Sequence, residues 1–201
     1  MQITRLEELE KSKVKVYIDY EYAFLLYQKD IKAYKLIEGD EISPIHLETI
    51  LNDTVLRRAK QKALAILKYS DRMESELRRK LAEADYKEDI ISRVMEYLDQ
   101  YGYLNDERVI AFYVRAKMNT KSKMVIRNEL LQKGAKKEAI DEVMEQVYEE
   151  NQEDAELMAL KKAIAKKTKK PEELDNEQKQ KLIASLYRKG FDINKIKKLM
   201  P

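Results

Sequence analysis

Glu129-Leu130-Leu131-Gln132-Lys133-Gly134-Ala135-Lys136 decides the fold, because the chain carries it three times in altered form. Shifted back by 49 residues, it lies over Lys80-Leu81-Ala82-Glu83-Ala84-Asp85-Tyr86-Lys87; Ile140, Val143, Met144 and Glu145 then fall on Ile91, Val94, Met95 and Glu96. Shifted forward by 56, Leu130, Lys133, Gly134, Ile140 and Met144 fall on Leu186, Lys189, Gly190, Ile196 and Met200. A unit that recurs at a nearly fixed period signals a tandem array whose members bury their apolar faces on neighbours. Shared helical periodicity imitates part of such a match, but the aligned Gly134 and Gly190 are harder to imitate.

Each copy reads as three helices, from the apolar spacing and the cap signals. In the first copy they are expected at about 54–69, 72–84 and 87–100, with Asp71 and Glu74 as a capping box for the second. The second copy places them at about 106–118, 121–133 and 136–149, with Asp106 as the opening cap and Gly134 ending the middle helix. The third runs over 154–167, 176–189 and 192–199, interrupted by Thr168-Lys169-Lys170-Pro171. A unit of about 50 residues has too little core to be very stable alone, which favours stacking.

The N-terminus follows another rule. Val14, Val16 and Ile18 alternate with Lys13, Lys15 and Tyr17, and Tyr22, Phe24 and Leu26 resume the alternation after a short polar break. That period of two predicts a hairpin, although Tyr20 stands where a tight turn prefers Gly or Asn. Gln2 to Leu6 supplies a third strand, and residues 28–37 turn helical. Ser43-Pro44 then opens a lead-in helix. The expected fold is therefore mostly α: a small N-terminal β-hairpin module followed by three tandem three-helix repeats forming an elongated, curved body with a concave binding face. The expected divisions are 1–43, 44–106, 107–154 and a basic 155–201.

Composition removes most chemistry. The 201 residues hold 40 Lys and Arg, 37 Asp and Glu, one His and no Cys. Without Cys there are no disulfides, thiolate metal sites, Fe–S clusters or thiol nucleophiles. His46 alone makes no metal site and reads as a surface or capping residue. Four Gly and three Pro cannot compose a glycine-rich phosphate loop. Glu149, Glu150, Glu153 and Asp154 follow no calcium-loop spacing. No cofactor, metal or enzymatic activity is expected. No apolar run is long enough to span a bilayer and the first residues lack a signal-like apolar segment, so no membrane partner and a cytoplasmic location are expected.

Charge is unevenly placed. Residues 1–54 carry 7 basic and 11 acidic groups, whereas 155–201 carry 13 basic and 6 acidic, net +7. Lys161, Lys162, Lys166, Lys167, Lys169 and Lys170 form a run without acid, joined by Arg188, Lys189, Lys195, Lys197 and Lys198. The run reads either as a solvated helix end that opposes the dipole or as a set of phosphate contacts. Arg78, Arg79 and Lys80, with Lys121, Lys123 and Arg127, recur on the middle helices of copies one and two. Interleaved Glu74, Glu76 and Glu129 leave ion pairing as the alternative. Tyr101, Tyr103 and Tyr113 surround the first joint and are read as packing anchors.

The joints also carry a resemblance. Leu98-Asp99-Gln100-Tyr101-Gly102-Tyr103-Leu104-Asn105-Asp106 resembles the L–x–x–x–G–Y–L–D/N–D joint between the first and second repeats of the RecX family. Glu129 to Gly134 is similar to that family's second-repeat motif, Leu186-Tyr187-Arg188-Lys189-Gly190-Phe191 to its third, and residues 14–24 to the strand pair preceding the repeats in many Gram-positive members. Gly102, Tyr103, Leu104, Asp106, Gly134, Gly190 and Phe191 are accordingly expected to be structural joint residues. Three positions depart from the pattern. Met73 replaces the usual Ser cap, so that helix is expected to start at Asp71; Ser122 replaces a Gly, and Tyr20 replaces the hairpin Gly. The resemblance implies a non-enzymatic modulator, expected to be monomeric, that binds the filament of the RecA recombinase on single-stranded DNA and inhibits or disassembles it. DNA itself, single-stranded and also double-stranded, is a further expected ligand. A stand-alone, sequence-independent DNA-binding protein using the basic third repeat is the competing reading.

Overall fold

Three antiparallel strands open the chain, β1 (Ile3–Glu8), β2 (Lys13–Ile18) and β3 (Glu21–Tyr27), in the order β1-β2-β3. Register sets Val14 opposite Leu26, Val16 opposite Phe24 and Ile3 opposite Ile18, so the alternating apolar residues share one buried face. Asp19 and Tyr20 form the β2–β3 turn with both φ angles positive, +49° and +69°. Tyr20 thus takes the left-handed conformation for which Gly was expected. The start of the first strand holds the turn in place: the Tyr20 N–H donates to Thr4 Oγ1 at 2.9 Å, and the Gln2 N–H donates to Asp19 Oδ1 at 2.8 Å.

This computed structural model describes residues 1–151 and 154–200, in two compact units, Met1–Leu104 and Asn105–Pro201. In the first unit the sheet shares one core with the helices that follow. These are α1 (Gln28–Ala33), α2 (Pro44–Ile50) and α3 (Arg57–Leu67), then α4 (Glu74–Ala82) and α5 (Glu88–Gln100). α1 is shorter than the expected 28–37. A π-helical segment, Leu51–Leu56, joins α2 to α3 in one helical run, and within it the buried Thr54 hydroxyl meets the Tyr34 hydroxyl at 2.7 Å. A widened turn of this kind makes room for such a buried polar contact.

α4 does not start at Asp71 as expected. Met73 is the N-cap residue, in extended conformation, and the helix begins at Glu74. Met73 is fully buried, so an apolar anchor fixes this start where a hydroxyl cap was anticipated. Two contacts tie the sheet to the end of α4. The Tyr22 hydroxyl donates to the Asp85 carbonyl at 2.5 Å, and Lys15 Nζ lies 3.4 Å from Asp85 Oδ1.

The second unit contains α6 (Asp106–Lys117), α7 (Lys123–Gln132), α8 (Lys137–Glu149), α9 (Ala155–Ala165), α10 (Asn176–Arg188) and α11 (Ile193–Leu199). A short 3-10 turn, Pro171–Glu173, follows α9. Asn105, not Asp106, caps α6, its side chain accepting from the Arg108 N–H at 2.7 Å; Asp106 is the first helical residue. The repeat holds in three dimensions. Leu81, Leu130 and Leu186 are all buried, as are Ile91, Ile140 and Ile196, and Met95, Met144 and Met200. Asp85, Gly134 and Gly190 end the three middle helices with φ of +65°, +85° and +77°. In each case the next residue's N–H returns to the equivalent leucine carbonyl, from Tyr86 to Leu81, Ala135 to Leu130 and Phe191 to Leu186.

Candidate functional site

A groove of about 510 Å³ opens between the second and third helix triplets, within the second unit. The loop into α7 supplies Thr120, Lys121 and Ser122, and α7 itself Val125; α9 and its C-cap supply Lys162, Ala163, Ala165 and Lys166; the end of α10 and the turn after it supply Lys189 and Phe191. Four of the cations singled out in the sequence, Lys121, Lys162, Lys166 and Lys189, therefore meet at one opening.

The local sequence explains why these elements converge. Ser122, which replaces the Gly of the related pattern, caps α7 by accepting the Val125 N–H at 3.3 Å and donates its own proton to the Lys189 carbonyl at 2.5 Å. Gly190 lets the turn after α10 lie against the side chains of Ser122 and Met124. A Cβ placed there would lie 2.5 Å from Met124 Cε, 2.7 Å from Met124 Cβ and 3.1 Å from Ser122 Oγ. Phe191 is buried in the third triplet's core with Ala159, Leu160, Ile164, Leu182, Leu186 and Ile196.

The cations divide into bound and unbound groups. Lys121 pairs with Glu129, which also accepts from the Tyr113 hydroxyl at 2.8 Å. Burial alone would raise the Glu129 carboxyl, but the hydrogen bonds from Lys121 and Tyr113 outweigh it and hold that carboxyl below the usual range. Burial, aided by Glu129, pushes the Tyr113 hydroxyl up to about 12. Arg127 makes a forked pair with Asp141 at 2.6 and 2.7 Å. Lys123 Nζ lies over the Tyr148 ring at 4.3 Å. Lys195 bridges Asp154 at 3.0 Å and the buried Glu156 at 2.9 Å, so it clamps α11 to the start of α9. Lys170 pairs with Glu173. In contrast, Lys161, Lys162, Lys166, Lys167, Lys169 and Lys189 are exposed, and none of them makes an ion pair with another described residue.

In the first unit, Arg78 is held by Glu74 and Glu88, both at 2.7 Å, and by Ser92 at 3.3 Å. Arg79 faces outward within 3.9 Å of Glu83, and Lys80 is half-buried on α4. Arg188 is exposed, its Nε donating weakly to the Ala184 carbonyl at 3.4 Å. The expectation that Tyr101 and Tyr103 are packing anchors is corrected: they are 61% and 46% exposed, Tyr101 leaning on Tyr97 at 4.8 Å. Gly102 turns the chain out of α5 and Leu104 packs on the first unit's core. Of the acidic cluster, Glu150 pairs with Arg115 and Asp154 with Lys195, while Glu153 lies outside the described residues. Among the described residues no helix is long and apolar enough to cross a membrane.

Sequence reasoning missed the apolar floor of the groove, Val125, Ala163 and Phe191. Each reads as ordinary core spacing, and the Gly190-Phe191 pair was the only sign that a joint lay there.

These features define a protein of tandem three-helix domains, with an N-terminal sheet and a lysine-rimmed groove between its second and third domains. Known proteins share the tandem domains. Models of the first, second and third three-helix domains of RecX match residues 59–98, 105–144 and 154–200. The chain is 32% identical over 202 residues to the regulatory protein RecX of Caldanaerobacter subterraneus subsp. tengcongensis, covering all of this chain and 98% of that one. It is 33% identical over 165 residues to the regulatory protein RecX of Clostridium acetobutylicum, covering 80% of this chain and 77% of that one. A crystal structure of regulatory protein RecX superimposes with a TM-score of 0.65 at 26% identity, covering 98% of this chain and 97% of the other. RecX from Lactobacillus salivarius gives 0.59 at 26% identity, covering 71% and 92%. The chain belongs to the RecX family, a family of regulatory proteins.

Proposed function

We propose that this protein modulates the RecA recombinase in the cytoplasm, as a monomer without cofactor, by binding the RecA–single-stranded-DNA filament and inhibiting or disassembling it. Membership in a family of regulatory proteins supports the regulatory role, and the RecX name points to RecA. The observation that carries the binding surface is the groove rimmed by Lys162, Lys166 and Lys189, three cations left without carboxylate partners among the described residues. A solvated helix end needs no such convergence of α9 with the turn after α10. A binding protein acts on a filament only through different affinities for its states, so the effect is on filament equilibrium and not on bond making.

The test is single-stranded-DNA-dependent ATP hydrolysis by RecA of the same organism, with this protein added below one molecule per RecA protomer. Loss of hydrolysis before the DNA is coated supports the proposal. The exposed Lys161, Lys167 and Lys169 favour one second reading, a DNA-binding protein without a recombinase partner. That reading requires no effect until the DNA is saturated, with strong salt dependence on naked DNA.

A further inference from the structure

We propose that the groove between the second and third domains receives an acidic peptide segment of a protein partner, one that inserts an apolar side chain, and not a bare nucleic-acid strand. The inference rests on the groove being the working surface named above, and it specifies the chemistry of what enters. The apolar lining comes from Val125, Ala163 and Phe191, with the Ser122 hydroxyl already committed to the Lys189 carbonyl. A phosphodiester backbone gains from cations and hydrogen-bond donors but nothing from an apolar floor. A nucleobase needs an accessible ring on which to stack, and Phe191, the one aromatic residue of the lining, is only 4% exposed.

A side chain such as Phe or Leu fits both requirements. Its burial on Val125 and Ala163 removes apolar surface from water, while flanking carboxylates reach Lys162 and Lys166 of α9 and Lys189 after α10. The volume of about 510 Å³ falls within the range of sites that enclose a ligand group. The lysine rim sets the sign of the partner, and the floor sets its amphipathic character.

Fluorescence anisotropy with the full chain tests this. The probes are a short labelled peptide of Asp and Glu with one central Phe, the same peptide with that Phe replaced by Asp, and labelled oligothymidylate. The Phe peptide is expected to bind at least about tenfold more tightly than its all-acidic counterpart, as burial of one large apolar side chain implies. Val125→Ser, which removes apolar floor without adding bulk, is expected to erase that difference, and Ala163→Leu to block the peptide while leaving oligothymidylate affinity within about twofold. Lys166→Ala, an exposed substitution that leaves folding intact, is expected to weaken both acidic peptides and to make them less salt-sensitive. Circular dichroism identifies any variant that fails to fold.

Equal binding of the two peptides, or oligothymidylate binding that is lost with Ala163→Leu, overturns the proposal. The same variants in the RecA hydrolysis assay separate the two claims. If Ala163→Leu inhibits RecA as well as the wild type, the groove assignment fails and the recombinase reading stands. If the wild type ignores RecA yet binds the Phe peptide with the stated preference, the recombinase reading fails and the groove assignment stands.

Discussion

The Ser122 hydroxyl donates to the Lys189 carbonyl at 2.5 Å, joining the opening of the second domain's middle helix to the end of the third domain's middle helix. The same hydroxyl oxygen accepts the Val125 N–H, so one side chain both caps a helix and fastens a joint. Gly190, next to Lys189, has φ +77°, and any side chain there would run into Met124 and Ser122. Gly102 has a similar φ, +68°, but open space around it. Gly102→Ala is therefore expected to cost only left-handed backbone strain, about 1 kcal/mol, whereas Gly190→Ala adds overpacking for a total of about 2–4 kcal/mol. Urea unfolding of the two variants measures the difference; equal losses would remove the close approach as a feature of the joint.

Asp85 occupies in the first repeat the position that Gly134 and Gly190 occupy in the others, with φ +65°. Its side chain reaches Lys15 at 3.4 Å, a partly exposed pair that offsets little of the strain. Asp85→Gly is expected to stabilise the first unit by about 0.5–1 kcal/mol, since Gly carries no Cβ penalty there and the lost pair is worth only tenths. Tyr22→Phe removes the bond to the Asp85 carbonyl and is expected to destabilise by about 1 kcal/mol. Thermal denaturation distinguishes the two signs.

Most of the architecture was legible because it rests on patterns that local physics enforces. The alternation of Val14, Val16 and Ile18 left one register for the sheet, and the spacing of Leu130, Ile140 and Met144 recurred in all three triplets. The helix starts were less legible. Asp71 and Asp106 look like better caps than Met73 and Asn105, but burial of Met73 and the hydrogen bond of Asn105 decided otherwise. At the site, lysines are visible in sequence but their partners are not. Lys195 and Lys166 lie in equally basic surroundings, and only the fold brings the first to Glu156 and leaves the second at the groove.

The Asp30–Arg58 pair predicts how the first unit responds to acid. Arg58 donates to Asp30 at 2.5 and 2.9 Å, and the Tyr27 N–H donates to the same carboxylate at 2.9 Å. Burial alone would raise the Asp30 carboxyl; Arg58 and the Tyr27 N–H outweigh it and hold it below its ordinary value of 3.8. A carboxyl depressed in the folded state contributes stability that is present above its unfolded value and lost as pH falls through its folded one. The contribution should therefore be constant near neutrality and disappear below about pH 4. Asp30→Ala, which leaves Arg58 without its partner, is expected to cost about 2–4 kcal/mol at pH 7 and progressively less in acid. Chemical denaturation at a series of pH values checks this; a cost independent of pH down to about 3 would assign the effect to packing.

Lys195 and Lys166 make opposed predictions from the same residue type. Lys195 Nζ joins Asp154 and Glu156, and Glu156 is buried. Burial would lower the Lys195 ammonium, but the hydrogen bonds to Glu156 and Asp154 outweigh it and raise it above its ordinary 10.5. A raised lysine contributes stability that is complete below its unfolded value and lost as pH climbs through its folded one, so this clamp should weaken only in strong alkali. Lys195→Met leaves Glu156 without its cation and is expected to destabilise the second unit by about 1–3 kcal/mol at neutral pH. Lys166 has no such partner among the described residues, and Lys166→Met is expected to change stability by less than about 0.5 kcal/mol. Binding should show the reverse order. On the filament-binding reading proposed above, Lys166→Met is expected to weaken association and lower its salt dependence, whereas Lys195→Met, assayed where it is folded, is expected to leave that salt dependence unchanged. Paired unfolding curves and salt titrations of filament binding decide the matter: a Lys166 variant that binds like the wild type at every salt concentration would return that residue to the solvated surface.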